Sequence, residues 1–145
     1  MPEIERIEVL PYNVPLKGAL AWGKGHELNA LNHVLITVTL SDGAQGIAEA
    51  TPRPTIYGET QESVLTIVPH HLAPKILGQT VNSLADIDAL EDRLSLIKNN
   101  NTAKGALNMA LHSALAQSQS VSLAQLLNVT KPAVRVSYIV STGGQ

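Results

Sequence analysis

The eight residues from His33 to Leu40 constrain the fold more than any other part of the chain. Val34, Ile36, Val38 and Leu40 alternate with Leu35, Thr37 and Thr39, and β-branched residues dominate. This pattern predicts a strand with one buried face. The following Ser-Asp-Gly, residues 41–43, is typical of a hairpin turn, and residues 45–50 return as a shorter strand.

An earlier strand is predicted over residues 3–14, where Ile4, Ile7 and Val9 are interleaved with charged residues. Pro11 and Pro15 are expected to break its hydrogen-bond ladder, because proline has no N–H to donate. The first half of the chain is therefore predicted to be a three-stranded antiparallel meander.

Two segments are predicted to be loops, one between the first two strands and one between the last strand and the helical half. Residues 16–30 contain three glycines, together with Lys17, Trp22, Lys24 and His26. Such a long segment without an obvious periodicity is expected to be mobile and is usually functional or disordered. Residues 51–58, TPRPTIYG, form the second predicted loop.

Helical spacing dominates the second half and predicts helices near 59–72, 84–98 and 103–118. Pro69 is expected to kink or end the first of them. Thr102 is the predicted N-cap of the third, and its many alanines predict close packing against a sheet or another helix.

Shorter signals complete this half. Residues 74–77 are expected to form a short piece that stops at Gly78, residues 83–86 resemble a capping box, and Ser122 is expected to cap a last helix through Leu127. Residues 134–141 are predicted to be a strand. Strands followed by helices indicate an α+β domain.

Composition excludes several classes of protein. The 145 residues carry a formal net charge of −2 and no basic stripe, which argues against a nucleic-acid partner. Cysteine is absent, so disulfides and thiolate metal sites are excluded. The start resembles no signal peptide and no apolar run could span a bilayer, so we expect a cytoplasmic protein. The charged fraction of 15% is low, which suggests that another domain or chain covers part of the surface.

Few residues suggest chemistry. Adjacent His70 and His71 would point about 100° apart on a helix and so make a poor metal site. His112 is expected to be packed or exposed, and His33 has no evident partner. Glu49 precedes the second loop and is expected to play a structural role. No catalytic set can be defended by spacing, and we expect no specific Mg²⁺ or Zn²⁺ site in this chain.

The order of segments resembles the N-terminal domain of the enolase superfamily, in its muconate cycloisomerase and mandelate racemase branch. The segments that carry the resemblance are 4–16, 32–43, 46–50, 52–59, 72–78, 103–112 and 122–127. Asn108 and Ser113 stand where the family usually has acids. Asn128 stands where it has glycine, and asparagine can also adopt the left-handed conformation that ends a helix.

The resemblance implies a division of labour. In such enzymes a (β/α) barrel supplies the Mg²⁺ ligands and the catalytic lysines or histidine. The N-terminal domain closes over the barrel, and its two loops shape specificity. We therefore expect a capping domain at 1–130, the start of a barrel at 131–145, and no catalytic or metal-binding residue in this chain.

The same resemblance implies which side chains face the active site: Trp22, His26, Arg53, Ile56 and Tyr57. The alternative is that Trp22 and Tyr57 only pack the loops on the domain.

Two functions stay open from sequence. One is the capping domain of a Mg²⁺-dependent cycloisomerase, epimerase or racemase that removes an α-proton from a carboxylate substrate. Its substrate could be muconate-like, a dipeptide, an N-acylamino acid or an o-succinylbenzoate precursor. The other is a stand-alone module for small-molecule binding or dimerisation. The strand at 134–141 has no neighbour, so it is expected either to stay disordered or to pair with a second copy, and a homo-oligomer is the expected result of pairing.

Overall fold

A computed structural model of the chain describes residues 1–131 and 133–137. The first half is an antiparallel sheet of three strands: β1 (Ile4–Trp22), β2 (His26–Leu40) and β3 (Gln45–Ala50). They lie in the order β1-β2-β3, so β2 is central and the other two form the edges. The predicted meander and the α+β class are both confirmed.

The predicted loop at residues 16–30 is wrong, because this segment is the far part of a long β1–β2 hairpin. Its strands pair down to Trp22 opposite His26, and a register shift between Pro15 and Leu20 absorbs the extra residues. Pro11 and Pro15 both lie inside β1, where they pair with β2 residues. They are tolerated because β1 is an edge strand and one row of its N–H groups has no ladder partner to lose.

Six α-helices follow the sheet within the described residues. They are α1 (Pro54–Tyr57), α2 (Gln61–Ile67), α3 (Ala73–Ile76), α4 (Leu84–Ser95), α5 (Asn101–Ser118) and α6 (Leu123–Leu126). The three predicted long helices are present: the first two are shorter than predicted and the third begins two residues earlier, at Asn101. The second predicted loop contains α1.

Pro69 ends the α-helical pattern, as predicted, but the chain stays helical. After α2, residues Val68–Leu72 form a π-helical turn that runs directly into α3. The Ala73 N–H reaches back to the Val68 carbonyl, a wider step than in an α-helix. The wider turn accommodates the proline ring and its missing N–H without breaking the helical path.

The core lies between the sheet and α5. Val34, Ile36 and Val38 on β2 are fully buried, and Leu107 and Leu111 on α5 are buried with them. Further large side chains that are fully buried are Ile4, Leu40, Leu72, Ile76, Ile87, Leu94 and Leu115. The single apolar cluster that results confirms the packing predicted for the alanine-rich helix.

Gly46 sets the distance between β3 and α5. A Cβ atom at this position would lie 1.9 Å from the Ala110 carbonyl oxygen and 2.3 Å from the Ala114 nitrogen. Only glycine permits backbones to approach this closely. The alanines on α5 and the glycine on β3 are therefore two halves of one contact.

The helix caps agree with the sequence except at α5. Ser83 with Asp86 forms the predicted capping box of α4, Ser122 caps α6, and Asn128 adopts a left-handed φ of 51°. Thr102, however, is not the N-cap of α5. Asn100 occupies that position with a φ of 57° and makes no side-chain cap bond, so another group must satisfy the first N–H groups.

The predicted strand at residues 134–141 is absent from the part that the structure describes. Residues 133–137 have no regular structure, and Val134 and Val136 are 86% and 89% exposed. A strand requires a neighbour for its backbone hydrogen bonds, and no strand of the sheet pairs with this segment. Residues 138–141 lie outside the described residues, and the boundary near residue 130 stays a prediction.

Candidate functional site

A groove joins the two segments that the sequence marked as loops. It lies between the outer part of the β1–β2 hairpin, residues 16–32, which we call the arm, and the segment that leads into α2. Its volume is about 170 Å³. Its lining residues are Leu28, Ala30 and Asn32 from β2, and Pro52, Arg53, Pro54, Thr60, Gln61 and Glu62 from the other side. The two segments therefore form opposite walls of one depression.

Helix α1 presents two of the predicted residues to solvent. Pro54 at its first turn has the backbone angle that a helix start requires, and Gly58 ends it with a left-handed φ of 73°. Ile56 and Tyr57 lie between these two residues and are 54% and 60% exposed. Exposed apolar and aromatic side chains on a short, capped helix can meet a ligand or a covering domain.

Trp22 and His26 form a pair at the tip of the hairpin. They lie opposite each other in the strand register, and their rings stack with centroids 5.9 Å apart and planes inclined by 12°. The His26 Nδ1 atom is buried and has no hydrogen-bond partner within the described chain. The turn between them uses Gly23 and Gly25, both with positive φ. Trp22 thus packs within the hairpin, as the alternative for this residue predicted. Its packing partner is His26, which is itself one of the predicted site residues.

Arg53 is held by two hydrogen bonds. Its Nη1 donates to the Pro52 carbonyl at 2.7 Å, and its Nη2 lies 3.1 Å from His33 Nε2. The expectation that His33 has no partner is therefore wrong. His33 is only 6% exposed, and its Nδ1 lies 3.3 Å from the Tyr12 hydroxyl and 3.6 Å from a Glu49 carboxylate oxygen. These partners come from three separate segments of the chain, so spacing along the sequence could not reveal them.

Burial and charge set the titration of this cluster. Burial lowers the pKa of His33 below its ordinary value, and the neighbouring Arg53 cation lowers it further, while Glu49 acts in the opposite direction. Burial also raises the pKa of Tyr12, and the nearby Glu49 adds to that effect. Glu49 thus lies beside a histidine and a tyrosine.

Gln61 fixes the beginning of α2 against the sheet. Its Nε2 lies 2.7 Å from the His33 carbonyl oxygen and 3.1 Å from both the Tyr12 carbonyl and Asn13 Oδ1. A capping box between Thr60 and Ser63 satisfies the first turn of the same helix. The wall of the groove that contains Arg53 is therefore anchored on β1 and β2.

Glu59 anchors the other end of this wall. It is 6% exposed, and its two carboxylate oxygens lie 2.8 Å from the Thr102 N–H nitrogen and 3.2 Å from the Ala103 nitrogen. It supplies the cap that α5 lacks, with the anion at the positive end of the helix. The sequence had placed Glu59 at the start of α2, because its true partners are far away along the chain.

The five predicted residues therefore fall into two groups. Trp22 and His26 lie at the hairpin tip, and Arg53, Ile56 and Tyr57 lie on α1 or directly before it. Of the five, Arg53 lines the groove, and the facing wall is formed by Leu28, Ala30 and Asn32. Tyr57 lines a different, shallow depression beside the start of α5. His33, Gln61 and Glu59 are the supporting residues that sequence reasoning missed.

A second, larger depression lies between β3, α5 and α6. Its volume is about 730 Å³, and its lining is mostly apolar. The residues that line it are Ile47, Ala48, Glu49, Thr51, Asn108, Met109, His112, Ser113, Leu123 and Leu127. His112 is half-buried here, and its Nδ1 lies 3.0 Å from the Asn108 carbonyl oxygen one turn earlier on the same helix.

The described residues do not fit a metal site. Among residues 1–131 and 133–137, no group of three His, Cys, Asp or Glu side chains is placed to hold an ion. No helix of the described chain is both long and apolar enough to cross a membrane.

Comparisons with known proteins match almost the whole chain. The family model for the mandelate racemase / muconate lactonizing enzyme N-terminal domain matches residues 9–128. The L-Ala-D/L-Glu epimerase of Bacillus subtilis is 34% identical over 140 residues, which are 96% of this chain and 36% of that protein. A chloromuconate cycloisomerase of Cupriavidus necator is 28% identical over 144 residues, or 97% of this chain and 38% of its own length.

The fold matches as well. A substrate-liganded structure of the B. subtilis epimerase superposes with a TM-score of 0.78 at 31% identity, over 86% of this chain and 34% of that one. The chain thus spans little more than a third of the length of these curated relatives. It belongs to the family of mandelate racemase / muconate lactonizing enzyme N-terminal domains, within the enolase superfamily.

Proposed function

We propose that this chain is the substrate-specificity and active-site-capping domain of a Mg²⁺-dependent isomerase that removes an α-proton from a carboxylate substrate. The observation that carries the proposal is the groove between the hairpin arm and the segment before α2, with Arg53 in its wall. Family membership supports it, since the relatives include an epimerase and a cycloisomerase.

Arg53 is the residue proposed to meet the substrate carboxylate. A guanidinium has five N–H donors in a planar fork that matches a carboxylate. Its described bonds, to Pro52 and His33, use two of the five and leave others for a ligand. Ile56 would provide an apolar contact beside it, the Tyr57 hydroxyl would provide a polar contact, and the Trp22–His26 pair would cover the substrate from the hairpin tip.

The acid, base and metal-binding groups are proposed to lie outside this chain. The relatives extend far beyond the segment that this chain matches, so their length leaves room for them. The domain division at 1–130 and 131–145 is part of the same proposal. Because the described residues do not fit a Mg²⁺ site, no chemical step is assigned to this chain itself.

The test is exchange of the substrate α-proton with deuterated solvent in the presence of Mg²⁺. L-Ala-L-Glu and muconate are suitable probes, because they represent the two kinds of relative. A full-length protein that carries this chain should catalyse exchange or cycloisomerisation, and the 145-residue chain alone should not. Exchange by the isolated chain would contradict the proposal.

Two substitutions test the site in the same full-length protein. Arg53→Ala and Tyr57→Phe should each lower kcat/KM about tenfold or more, as expected for a lost charged or polar contact. Leu96→Ala is the matched control, because Leu96 is 71% exposed and lies away from the groove. Unchanged kinetics in both site variants would remove these residues from the site.

Self-association is a second part of the proposal, supported by the exposure of Val134 and Val136. We propose that this segment pairs with a second copy, because exposed alternating valines favour strand addition. Light scattering should show a larger species for the full chain than for a version that ends at Asn128. If both versions are monomeric, the proposal is contradicted. The cytoplasmic location stays a prediction.

A further inference from the structure

The side chains around His33 form a chain of hydrogen bonds with a fixed direction. Arg53 can only donate, so His33 Nε2, 3.1 Å away, must accept with its lone pair. The neutral imidazole then carries its proton on Nδ1, which faces the Tyr12 hydroxyl at 3.3 Å. The opposite tautomer would set two N–H donors against each other.

The chain of donors ends beside an anion. When Tyr12 accepts from His33 Nδ1–H, its own proton is free to turn toward the nearby Glu49 carboxylate, which adds to the effect of burial in raising the pKa of Tyr12. Donation therefore runs from the Arg53 cation through His33 to Tyr12, with a Glu49 carboxylate oxygen 3.6 Å from His33 Nδ1. Bonds aligned in this way polarise one another, and each strengthens the next.

We propose that His33 is a positioning residue that fixes the Arg53 guanidinium in the wall of the groove, and that its protonation releases Arg53. The importance of Arg53 rests on the proposed function, but the positioning itself does not. His33 suits the role because it is 6% exposed and lies on the central strand, β2. Tyr12 lies opposite it on β1.

Protonation would break the arrangement at one atom. Imidazolium has no lone pair, so Nε2 would become a donor facing a donor, and two cations would lie about 3 Å apart. The charged groups that face His33 are Arg53 from the segment before α1 and Glu49 from β3. Tyr12 faces it from β1, and the neutral Gln61 bonds only its carbonyl from α2. The release should occur below pH 6.5, because burial and Arg53 lower the pKa of His33 from that value.

NMR spectra of the ¹⁵N-labelled chain test the proposal without substrate. Ring spectra should show His33 as the neutral Nδ1–H tautomer at pH 7.5. The Arg53 guanidinium protons should exchange slowly there and rapidly once His33 is protonated. Arg93, which is exposed, is the control and should exchange rapidly throughout. An Nε2–H tautomer, or an Arg53 signal that does not follow the His33 titration, would overturn the proposal.

Variants separate positioning from packing. His33→Phe keeps a ring but removes the acceptor, and should speed Arg53 proton exchange about tenfold or more, the effect of losing a hydrogen bond to a charged group. His33→Gln restores an acceptor that does not titrate, so Arg53 should be held again without the pH step. Equal Arg53 exchange in both variants would contradict the proposal.

Glu49→Gln gives a further readout that does not depend on the fold tolerating a change at His33. Because Glu49 raises the pKa of His33, its neutralisation should lower that pKa further. The pH at which Arg53 is released should fall with it, and an unchanged release pH would count against the hydrogen-bond chain. Failure of these tests would leave the capping function standing. Absence of substrate α-proton exchange in the full-length protein would leave the positioning of Arg53 by His33 standing.

Discussion

The two ends of the β1–β2 hairpin have the same backbone pairing and opposite surroundings. Near the core, β2 residues 33–40 are mostly buried, with Val34, Ile36 and Val38 fully covered by the helices. In the arm, residues 26–32 are half-exposed or exposed, and Leu20 opposite them is 52% exposed. The core end is fixed by apolar packing, whereas the arm is held mainly by strand register and the Trp22–His26 pair.

This difference teaches where sequence change can occur. Packing in a dense interior penalises a change of even one methylene group, but an arm held mainly by backbone bonds depends on few side chains other than the Trp22–His26 pair. The arm can therefore carry residues that meet a ligand while the core end keeps its position. The predictions that follow test this contrast, from the largest expected effect to the smallest.

Substitution of Gly46 should have the largest effect. Gly46→Val would place Cβ in the backbone of α5, so it should lower the free energy of unfolding by at least about 3 kcal/mol, the upper range for overpacking. Gly105→Ala is the control, because that exposed helical glycine has open space around it and alanine should stabilise by about 0.5–1 kcal/mol. Urea unfolding measures both, and a neutral Gly46→Val would show that α5 can move away.

Truncating one side chain at each end of the hairpin compares the two ends directly. Ile36→Ala in the core should cost about 2–5 kcal/mol because it leaves a cavity. Leu20→Ala in the arm should change the free energy of unfolding by no more than about 0.5 kcal/mol, as for other exposed sites. Chemical denaturation of both variants is sufficient. Equal costs would break the contrast between core end and arm.

Glu59 extends the contrast to buried polar groups. Glu59→Gln keeps the shape but weakens the acceptor for two N–H groups of α5, and should cost about 1–3 kcal/mol. Glu62→Gln, at an exposed position in the first turn of α2, should have the smaller effect. Thermal unfolding at neutral pH compares them. If Glu62→Gln is the more damaging change, Glu59 is not the cap of α5.

The smallest expected effect is a pH dependence of stability from His33. Its pKa is lowered in the folded chain, mainly by burial, so the unfolded chain binds the proton more readily. The stabilisation is therefore complete above pH 6.5 and is lost as the pH falls below it. Urea unfolding between pH 7.5 and 5.5 should show the decline, and His33→Phe should reduce its slope. An identical slope in the variant would assign the effect to other groups.

Sequence alone predicted those elements whose cause is local. The alternation in 33–40, the capping box at Ser83, the alanine-rich face of α5 and the left-handed Asn128 each depend on a few neighbouring residues. The break predicted at Pro11 and Pro15 is wrong, because a proline disrupts a central strand but is tolerated on an edge strand. Whether β1 is an edge depends on the whole sheet, which no local pattern records.

The supporting contacts of the site could not be predicted for a related reason. His33 contacts Arg53, Tyr12 and Glu49, and Glu59 caps α5, across distances along the chain that only the tertiary structure closes. The ends of the groove wall were visible as proline- and glycine-rich sequence, and the resemblance suggested its side chains. The polar groups that hold the wall had no pattern of their own.

The anchored wall has a practical consequence for protein engineering. Arg53 is tied to the sheet through His33, and Glu59 is tied to α5, so the residues between them span two fixed supports. Such a span can be exchanged as a cassette: its side chains can be randomised in a library while both supports and the span's length are kept. Selection from this library would alter what the groove accepts without asking the core to refold around each new sequence.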